Sequence, residues 1–333
     1  VEAGGENVHA SESVATSLTI AIGIAGAGGN SNIYDNAEFT AEVGAGSLIV
    51  TGDADGNYGS LSVLALTRNT TTAEIFGGSG SVGSVGVFMS DAERKGSTNA
   101  SLQTAESLDV GDLIIAAKTA VDAENPKQAI ISEGMSVTVG VFAGTGEHHF
   151  VTVSESVTTT VSGSSDSEDE KGQWTVNGDL TVQAIPKYAA TAKTSGAGQD
   201  QQDVSVSALG VGFFKVNSTV TPTVELEVKD VTLDVSGSSV FETNLDSGNT
   251  TEARSGSGSL VGGDAAKATS VNSPKVALTT AGLNLTTQKA SFRNVVLGVY
   301  NTNANSVYAT AVGGSTATAT NTSKPQVGLN LNQ

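Results

Sequence analysis

Apolar and polar residues alternate one by one along most of this chain. The alternation is clearest in a phrase that occurs five times, as SLTIAIGIA (17–25), SVGSVGVF (81–88), MSVTVGVF (135–142), VSVSALGVGFF (204–214) and SFRNVVLGVY (291–300). A period of two indicates half-buried β-strands, and the Val, Ile and Thr residues that dominate these runs suit a pleated sheet. Because no long window carries the apolar spacing of a helix, we predict an all-β fold.

A second phrase alternates with the first along the chain. It reads GSLIVTG at 46–52 and GDLTVQA at 178–184, and its leucines are Leu48, Leu113, Leu180, Leu233, Leu283 and Leu329. These leucines are 65, 67, 53, 50 and 46 residues apart. Two phrases that recur in alternating order predict a repeat architecture with an irregular period of about 50–65 residues.

The repeats also predict how the apolar residues are buried. One repeat cannot cover its own apolar strand face, so we expect coils to stack at the ~4.8 Å spacing of neighbouring strands. The expected fold is a parallel β-solenoid (β-helix) forming a single elongated repeat domain over 1–333, as a segment of a longer chain. Tandem β-sandwich domains are the alternative. Variable loops are expected near 53–60, 162–172, 194–203 and 244–258.

We expect the repeated apolar residues to line the interior in register, because equivalent positions of successive strands share a face. The glycines of the first phrase are expected to allow tight corners or close approach of coils, or to be ordinary turn residues; they are Gly83, Gly86, Gly140, Gly212 and Gly298. The predicted interior residues are Val82, Val87, Val137, Val139, Val141, Val206, Val211, Val296, Val299, Leu113, Leu180 and Leu233.

The charge balance excludes some classes of partner. Thirty-four acidic residues against sixteen basic ones give a net charge of −18, which disfavours nucleic acid and a basic membrane-binding patch. The most apolar run, from Leu18 to Gly29, is shorter than the ~20 residues of a membrane helix, so we expect no membrane insertion. The chain has no cysteine, which excludes disulfides, thiolate zinc sites and a cysteine nucleophile.

One short motif is a candidate metal site. The segment DADGN (53–57) has the composition of a calcium loop, with Asp53, Asp55 and Asn57 as the ligands. An EF-hand would place a glutamate at the twelfth position, which is Leu64 here. Since Asp-Gly-Asn is also common in turns, a plain turn is the alternative.

Two further charged segments have simpler interpretations. The acidic loop SDSEDEKG (165–172) is typical of a solvated, self-repelling segment, with loose divalent-cation binding as the alternative. In GEHHF (146–150), His148 and His149 would point to opposite faces of a strand and could not hold one metal ion together. We therefore interpret them as a surface pair.

No group of residues predicts catalysis. Polysaccharide-cleaving β-helices carry paired acids or clusters of acids with Arg or Lys along a groove, and no such set is apparent. The chain has three histidines and a single tryptophan, Trp174. We therefore expect no enzyme activity, no catalytic residues and no cofactor other than the candidate calcium ion.

The two phrases, with the Ala-, Thr- and Ser-rich alternation between them, resemble a known family of secreted proteins. They are similar to the filamentous haemagglutinin and leukotoxin-type large repeat adhesins that Gram-negative bacteria export by two-partner secretion. The likeness extends from about Ser17 to Leu331 and is one of repeat style. It implies a right-handed solenoid and a role as a surface fibre, adhesin or cytolysin.

The expected function follows from the repeats and from this resemblance. We expect a structural, adhesive segment of an extracellular bacterial surface fibre, with copies of itself, joined head to tail, and a host or neighbouring cell surface as partners. Its acidic surface is expected to discourage lateral bundling. The alternative from another class is a carbohydrate-binding or carbohydrate-cleaving β-helix.

Overall fold

The protein is all-β. A computed structural model describes residues 2–4, 9–44, 48–49, 58–104, 107–119, 127–163, 171–194, 204–309 and 314–332, and these residues form no helix. The strands are β1 (Glu2–Gly4), β2 (His9–Ile20), β3 (Ile24–Asp35), β4 (Glu38–Val43), β5 (Leu48–Ile49), β6 (Leu61–Thr67), β7 (Asn69–Arg94), β8 (Ser97–Gln103), β9 (Leu108–Val110), β10 (Leu113–Thr119), β11 (Gln128–Val153), β12 (Ser156–Ser162), β13 (Gly172–Val176), β14 (Leu180–Ile185), β15 (Lys187–Lys193), β16 (Val204–Val220), β17 (Thr223–Lys229), β18 (Val231–Asn272), β19 (Lys275–Ala281), β20 (Asn284–Ala309), β21 (Ser315–Ser323) and β22 (Gln326–Leu331).

Parallel pairing organises these strands into two sheets. One sheet has sixteen strands, and the other has six in the order β22, β19, β17, β12, β8 and β4. Long strands pair with their counterparts further along the chain, as β7 does with β11 and β11 with β16. Within the described residues the pairings are parallel, which does not fit the antiparallel sheets of tandem β-sandwiches.

The register of the pairing gives the true repeat. One ladder contains Leu48, Leu108, Trp174, Leu233 and Leu285, at intervals of 60, 66, 59 and 52 residues. The expected irregular period is therefore present. The equivalence of the repeated leucines is correct only in part, because Leu113 does pair with Leu180, whereas Leu233 lies on the separate ladder with Trp174.

The core lies where short strands of the two sheets face each other. Leu113, Leu180 and Leu233 are at most 1% exposed, as predicted. Trp174 and Tyr188 are the largest apolar residues buried with them. We call one repeat of the chain a pass. Each pass adds a layer of Leu, Val and Ala to one continuous hydrophobic cluster.

The prediction for the valines of the first phrase is wrong for most of them. Val82, Val87, Val139, Val141, Val206 and Val211 are between 45% and 66% exposed. Val137, Val296 and Val299 are half-buried. The alternating positions occupied by Ser, Thr, Gly and Ala are the buried ones, as Ser84, Gly86 and Ala143 illustrate.

The inversion has a steric cause. In β7 the chain folds back on itself at Ser81 and Val82, so that the Ser79 and Ser84 hydroxyls form a hydrogen bond. In β11 the hydroxyls of Thr138 and Thr145 make the equivalent contact. Near the turn the two arms lie so close that only small side chains fit between them, and the larger Phe88 ring fits further along because Gly77 faces it. A period of two then places the valines outside.

Close approach of the arms explains several of the glycines. A Cβ on Gly77 would overlap the Phe88 ring, and one on Gly86 would lie 2.8 Å from the same ring. A Cβ on Gly140 would lie 2.6 Å from the Ser81 carbonyl oxygen of the neighbouring strand. The expectation of close approach between coils is confirmed at Gly140 and at Gly86, whose Cβ would also lie 3.1 Å from the Thr138 methyl group of the next strand, whereas a Cβ on Gly83 would make only an ordinary contact at 3.5 Å.

One predicted loop is a strand. Residues 244–258 lie inside β18, although their polar composition suggested a variable loop. Two of its polar side chains are buried and hydrogen-bonded: the Ser247 hydroxyl donates to Oδ1 of Asn272 at 3.1 Å, and Nδ2 of Asn249 donates to the Val271 carbonyl at 3.0 Å. Most of the other three predicted loops lies outside the described residues.

Candidate functional site

The candidate calcium ligands cannot be placed. Asp53, Asp55 and Asn57 lie outside the described residues, as does the acidic run from 164 to 170. Within the described ranges, no group of three or more His, Asp or Glu side chains is arranged to hold a metal ion. The same part of the chain has no helix long and apolar enough to cross a membrane.

His149 belongs to a buried polar cluster between the arms of β7 and β11. Its Nδ1 and the Ser90 hydroxyl are hydrogen-bonded at 2.7 Å, and its Nε2 lies 3.1 Å from Oε2 of Glu147. The Ser90 hydroxyl also lies 2.7 Å from that of Ser132 on the neighbouring strand. The surface pair predicted for GEHHF is therefore wrong for His149, which is fully buried, while His148 is half-buried.

This cluster has the connectivity of a hydroxyl, an imidazole and a carboxylate, but it lacks an approach for substrate. Ser90, Glu147 and His149 are each 0% exposed. A Cβ on Gly134 would lie 2.6 Å from Cε1 of His149, so the opposite arm covers the ring closely. A nucleophile needs room beside it for the reacting atom. We therefore assign this cluster to the packing of the two arms.

A second buried cluster joins three consecutive passes of the chain. Nη1 of Arg94 lies 2.9 Å from Oδ1 of Asp35, and its Nη2 lies 2.9 Å from Oε1 of Glu155. Asn69 donates to Oδ2 of Asp35 at 2.9 Å, and Thr98 donates to Oε1 of Glu155 at 2.8 Å. One arginine thus bridges two carboxylates at the corner where β3, β7 and β11 end.

Burial and charge set the ionisation of this cluster. Burial opposes the charge of Arg94, but the carboxylates of Glu155 and Asp35 outweigh it and raise the pKa of the guanidinium. The Tyr188 hydroxyl donates to Oε2 of Glu155 at 2.8 Å. Burial and then this carboxylate raise the pKa of Tyr188 well above 10.0. The cluster is therefore a neutral phenol and a fixed cation between two anions at neutral pH.

The most extensive surface feature is the outer face of the folded-back segments. We call it the apolar fin and define it as residues 18–28, 76–89, 135–146, 206–213 and 259–263. On one side of the fin, Ile24, Gly83, Phe142, Leu209 and Val261 stack in register across five passes. Around them lies an open groove of 950 Å³.

The fin carries no formal charge. Asp, Glu, Lys and Arg are absent between Glu12 and Asp35, between Glu74 and Asp91, and between Glu133 and Glu147. They are also absent from 204–214 and from 255–263. Exposed apolar surface that recurs in register over several strands is a contact surface for another apolar body.

Polar and aromatic side chains lie beside the fin, where its strands join the rest of the molecule, which we call the body. His148 lies edge-on to Phe150, with ring centroids 5.7 Å apart, and Nζ of Lys215 lies 5.7 Å from the Phe150 ring centroid. Burial, and then Lys215, lower the pKa of His148 below 6.5, so this imidazole is neutral at pH 7.

The groove is poorly suited to a sugar. It is lined by Val, Leu, Ile, Phe, Ala and Gly, with Ser84 as its one serine, and the Ser84 side chain is buried against Ser79. Carbohydrate sites need several polar groups that converge on the hydroxyls of the ligand. The described groove does not offer them.

Sequence analysis did not identify the charged cluster or the fin. A signal for the cluster was present, because Asp35, Arg94 and Glu155 are 59 and 61 residues apart, which is one period of the repeat. A signal for the fin was the absence of charge from each copy of the first phrase. The prolines give a third signal, because they mark the corner of the charged cluster in later passes. They are Pro222, Pro274 and Pro325, spaced by 52 and 51 residues.

Comparisons with known proteins give no relatives. No family model matches the chain, and neither a curated protein nor a solved structure is significantly similar to it.

Proposed function

We propose that this chain is a structural, adhesive segment of an extracellular β-solenoid fibre that acts through stacking and surface contact rather than through chemistry. The in-register parallel ladders support this proposal, because strands that pair with their counterparts one pass later build a rod of any length. The solenoid is one elongated domain in which each pass covers the apolar layer of the pass before it.

The observation that carries the proposal is the stacking of equivalent apolar layers in register. Val327 and Leu329 of β22 pair with Val276 and Leu278 of β19, which are 0% exposed. In the fibre this stacking continues head to tail from one copy to the next, and the strand edges complete their backbone hydrogen bonds there.

The extracellular bacterial location is part of the same proposal. It is supported by the resemblance of the repeated phrases to the large secreted adhesins and by the absence of cysteine from all 333 residues. A host or neighbouring cell surface is the proposed target of the sides of the fibre.

A pair of adjacent substitutions tests the end-to-end contact. Leu329→Lys places a charge on the layer that is to be covered, and Asn330→Lys places the same charge one residue away on the opposite strand face. We expect negative-stain electron microscopy of the wild-type protein to show thin unbranched fibres. Leu329→Lys should shorten them, and Asn330→Lys should not.

Two results would contradict the proposal. One is a wild-type protein that stays monodisperse at high concentration. The other is a pair of variants with the same fibre-length distribution, since the exposed layer would then have no part in assembly.

A further inference from the structure

One side of the apolar fin has a corrugated surface. We count outward-facing residues from the turn of the fin, so that the row containing Ile24 and Phe142 is the first position. At the second position, Gly26, Val85, Gly144 and Val211 follow one another in register on passes one to four. At the third position the series is Gly28, Val87, Gly146 and Phe213. Glycines and bulky residues thus alternate from pass to pass, so depressions lie between ridges.

The fold itself does not require all of these glycines. Their backbones are not left-handed, since among the described residues only Gly23 and Gly282 are glycines with positive φ. A Cβ on Gly26 would have nothing within 4 Å, and one on Gly144 or Gly146 would meet nothing closer than 3.9 Å. Glycine inside a strand costs stability relative to a β-branched residue. The depressions therefore serve the outer surface rather than the interior.

We propose that the fin is a lateral self-association surface, on which the fin of a second copy packs. The ridge formed by Val85 and Val87 in one copy has the size and spacing to enter the depression formed by Gly144 and Gly146 in another. A displacement of one pass, ~4.8 Å along the stack, brings these features face to face. This side contact is separate from the head-to-tail contact and does not rest on it.

The area of the fin sets the strength of this contact. Five passes ~4.8 Å apart and three outward positions ~6.6 Å apart give one side of the fin about 480 Å² in projection. Stable interfaces bury about 800 Å² per partner, so a single pair of chains belongs to the weak, transient class. Each added pass enlarges the contact, and side-by-side fibres gain strength by multivalency.

Charge favours a second copy over a lipid surface as the occupant. The chain carries a net charge of −18, and the fin is bordered by Glu74 and Asp91 on its second pass, so anionic lipid headgroups are repelled. Burial is the main cause that raises the pKa of both carboxyls. A second fin brings only uncharged surface to the contact, whereas the acidic bodies of the two chains lie apart.

Filling the depressions tests the proposal. The variant Gly144→Val/Gly146→Val adds side chains where the chain has room for them, so it should keep the melting temperature or raise it. The same change should weaken lateral association about tenfold or more, because the ridges can no longer enter. The matched control is Gly248→Val, a half-buried strand glycine outside the fin whose added Cβ would lie 3.8 Å from the nearest atom.

All proteins in the test carry Leu329→Lys, which is expected to weaken end-to-end assembly, so that the side contact dominates the association that is measured. Sedimentation velocity from ~1 to ~200 μM should show concentration-dependent association of the parent and of the Gly248→Val protein, but not of the filled variant. A second variant, Val85→Ser/Val87→Ser, should lose association in the same way.

Three outcomes would overturn the inference. A parent that stays monomeric over the whole range excludes the contact. Equal association of the parent and of both fin variants places the contact elsewhere. A parent that floats with neutral phosphatidylcholine vesicles, and shows no self-association, makes lipid the occupant instead.

Discussion

Removal of the Arg94 guanidinium is the sharpest test of how the corner of the fold is held. Arg94→Met keeps most of the side-chain length and leaves the carboxylates of Asp35 and Glu155 buried without their cation. Arg94 is 0% exposed, and both of its ion pairs are 2.9 Å long. The substitution therefore exchanges a compensated cluster for two uncompensated anions.

The magnitude follows from this geometry. Two unit charges about 4 Å apart attract by roughly 4 kcal/mol at an effective dielectric constant of 20, and desolvation offsets much of that energy. Breaking a buried pair by removing one partner costs about 3–5 kcal/mol, mainly because a charge is left unpaired. Since two carboxylates are left here, we expect the upper part of that range.

The assay uses urea unfolding followed by the fluorescence of Trp174, the single tryptophan, and by far-UV circular dichroism. Trp174 is 1% exposed, so its emission reports the opening of the core. The matched control is Lys95→Met, which removes the neighbouring, exposed cation and should not shift the midpoint measurably.

A compensating variant distinguishes charge from packing. Arg94→Met/Asp35→Asn/Glu155→Gln removes both anions together with the cation and should recover at least half of the lost stability, because no buried charge remains. The electrostatic reasoning would be refuted by a triple variant as unstable as Arg94→Met, or by an Arg94→Met protein as stable as the Lys95→Met control.

Three smaller perturbations test other parts of the description. Because Tyr188 has a raised folded-state pKa, its stabilising contribution is complete below pH 10.0 and declines as the pH rises above it. Tyr188→Phe should therefore abolish that decline in urea midpoints measured between pH 8 and 11. An unchanged decline would contradict the assignment. Gly77→Ala should lower stability by about 1–3 kcal/mol through overlap with Phe88, whereas Gly26→Ala, which has open space, should not; equal midpoints would show that the arms are further apart. Glu74 has a pKa raised above 4.5, chiefly by burial, so its contribution to stability is lost as the pH rises through that pKa. Glu74→Gln should therefore raise the melting temperature at pH 7 and leave it unchanged at pH 4. A variant that raises the melting temperature at pH 4 and not at pH 7 would refute this.

The sequence predicts the class of fold because the alternation has a single dominant period. It also predicts that Leu113 and Leu180 are buried in register, which the pairing of β10 and β14 confirms. These residues lie on short strands that face another sheet, so their Leu, Val and Ala side chains point inward at every second position. A period of two is sufficient information in that setting.

The same period does not say which face of a strand is inside. For SVGSVGVF the two choices are valines inward or serines and glycines inward, and a shift of one residue interchanges them. The distance between the two arms decides the outcome, and that distance is a property of the folded chain. The Ser79–Ser84 hydrogen bond and the overlap that a Cβ on Gly77 would have with Phe88 reveal it only in three dimensions.

The buried charges were missed for a related reason. Asp35 and Glu155 were counted only in the net charge, which describes the surface potential and carries no information about pairs inside the fold. Their partner Arg94 stands one period away from each, so the repeat length and the charge positions had to be combined to find the cluster. The corner prolines hold the same place in later passes, where Thr221–Pro222 and Ser273–Pro274 separate β16 from β17 and β18 from β19.

The proposed fin contact and the proposed end-to-end contact would respond differently to salt, which separates the two physically. The end-to-end contact joins strand edges of two chains, each of which carries a net charge of −18. Added salt screens the repulsion between these chains and therefore favours longer fibres. The fin contact is uncharged from Ile75 to Ser90 and over its other segments, so screening changes it little, whereas sulfate, which strengthens apolar burial, favours it. Sodium chloride should therefore lengthen fibres without bundling them, and sodium sulfate at equal ionic strength should add lateral pairs. This difference follows from a chain that keeps charged residues off the fin, where Val82, Val85 and Val87 are exposed.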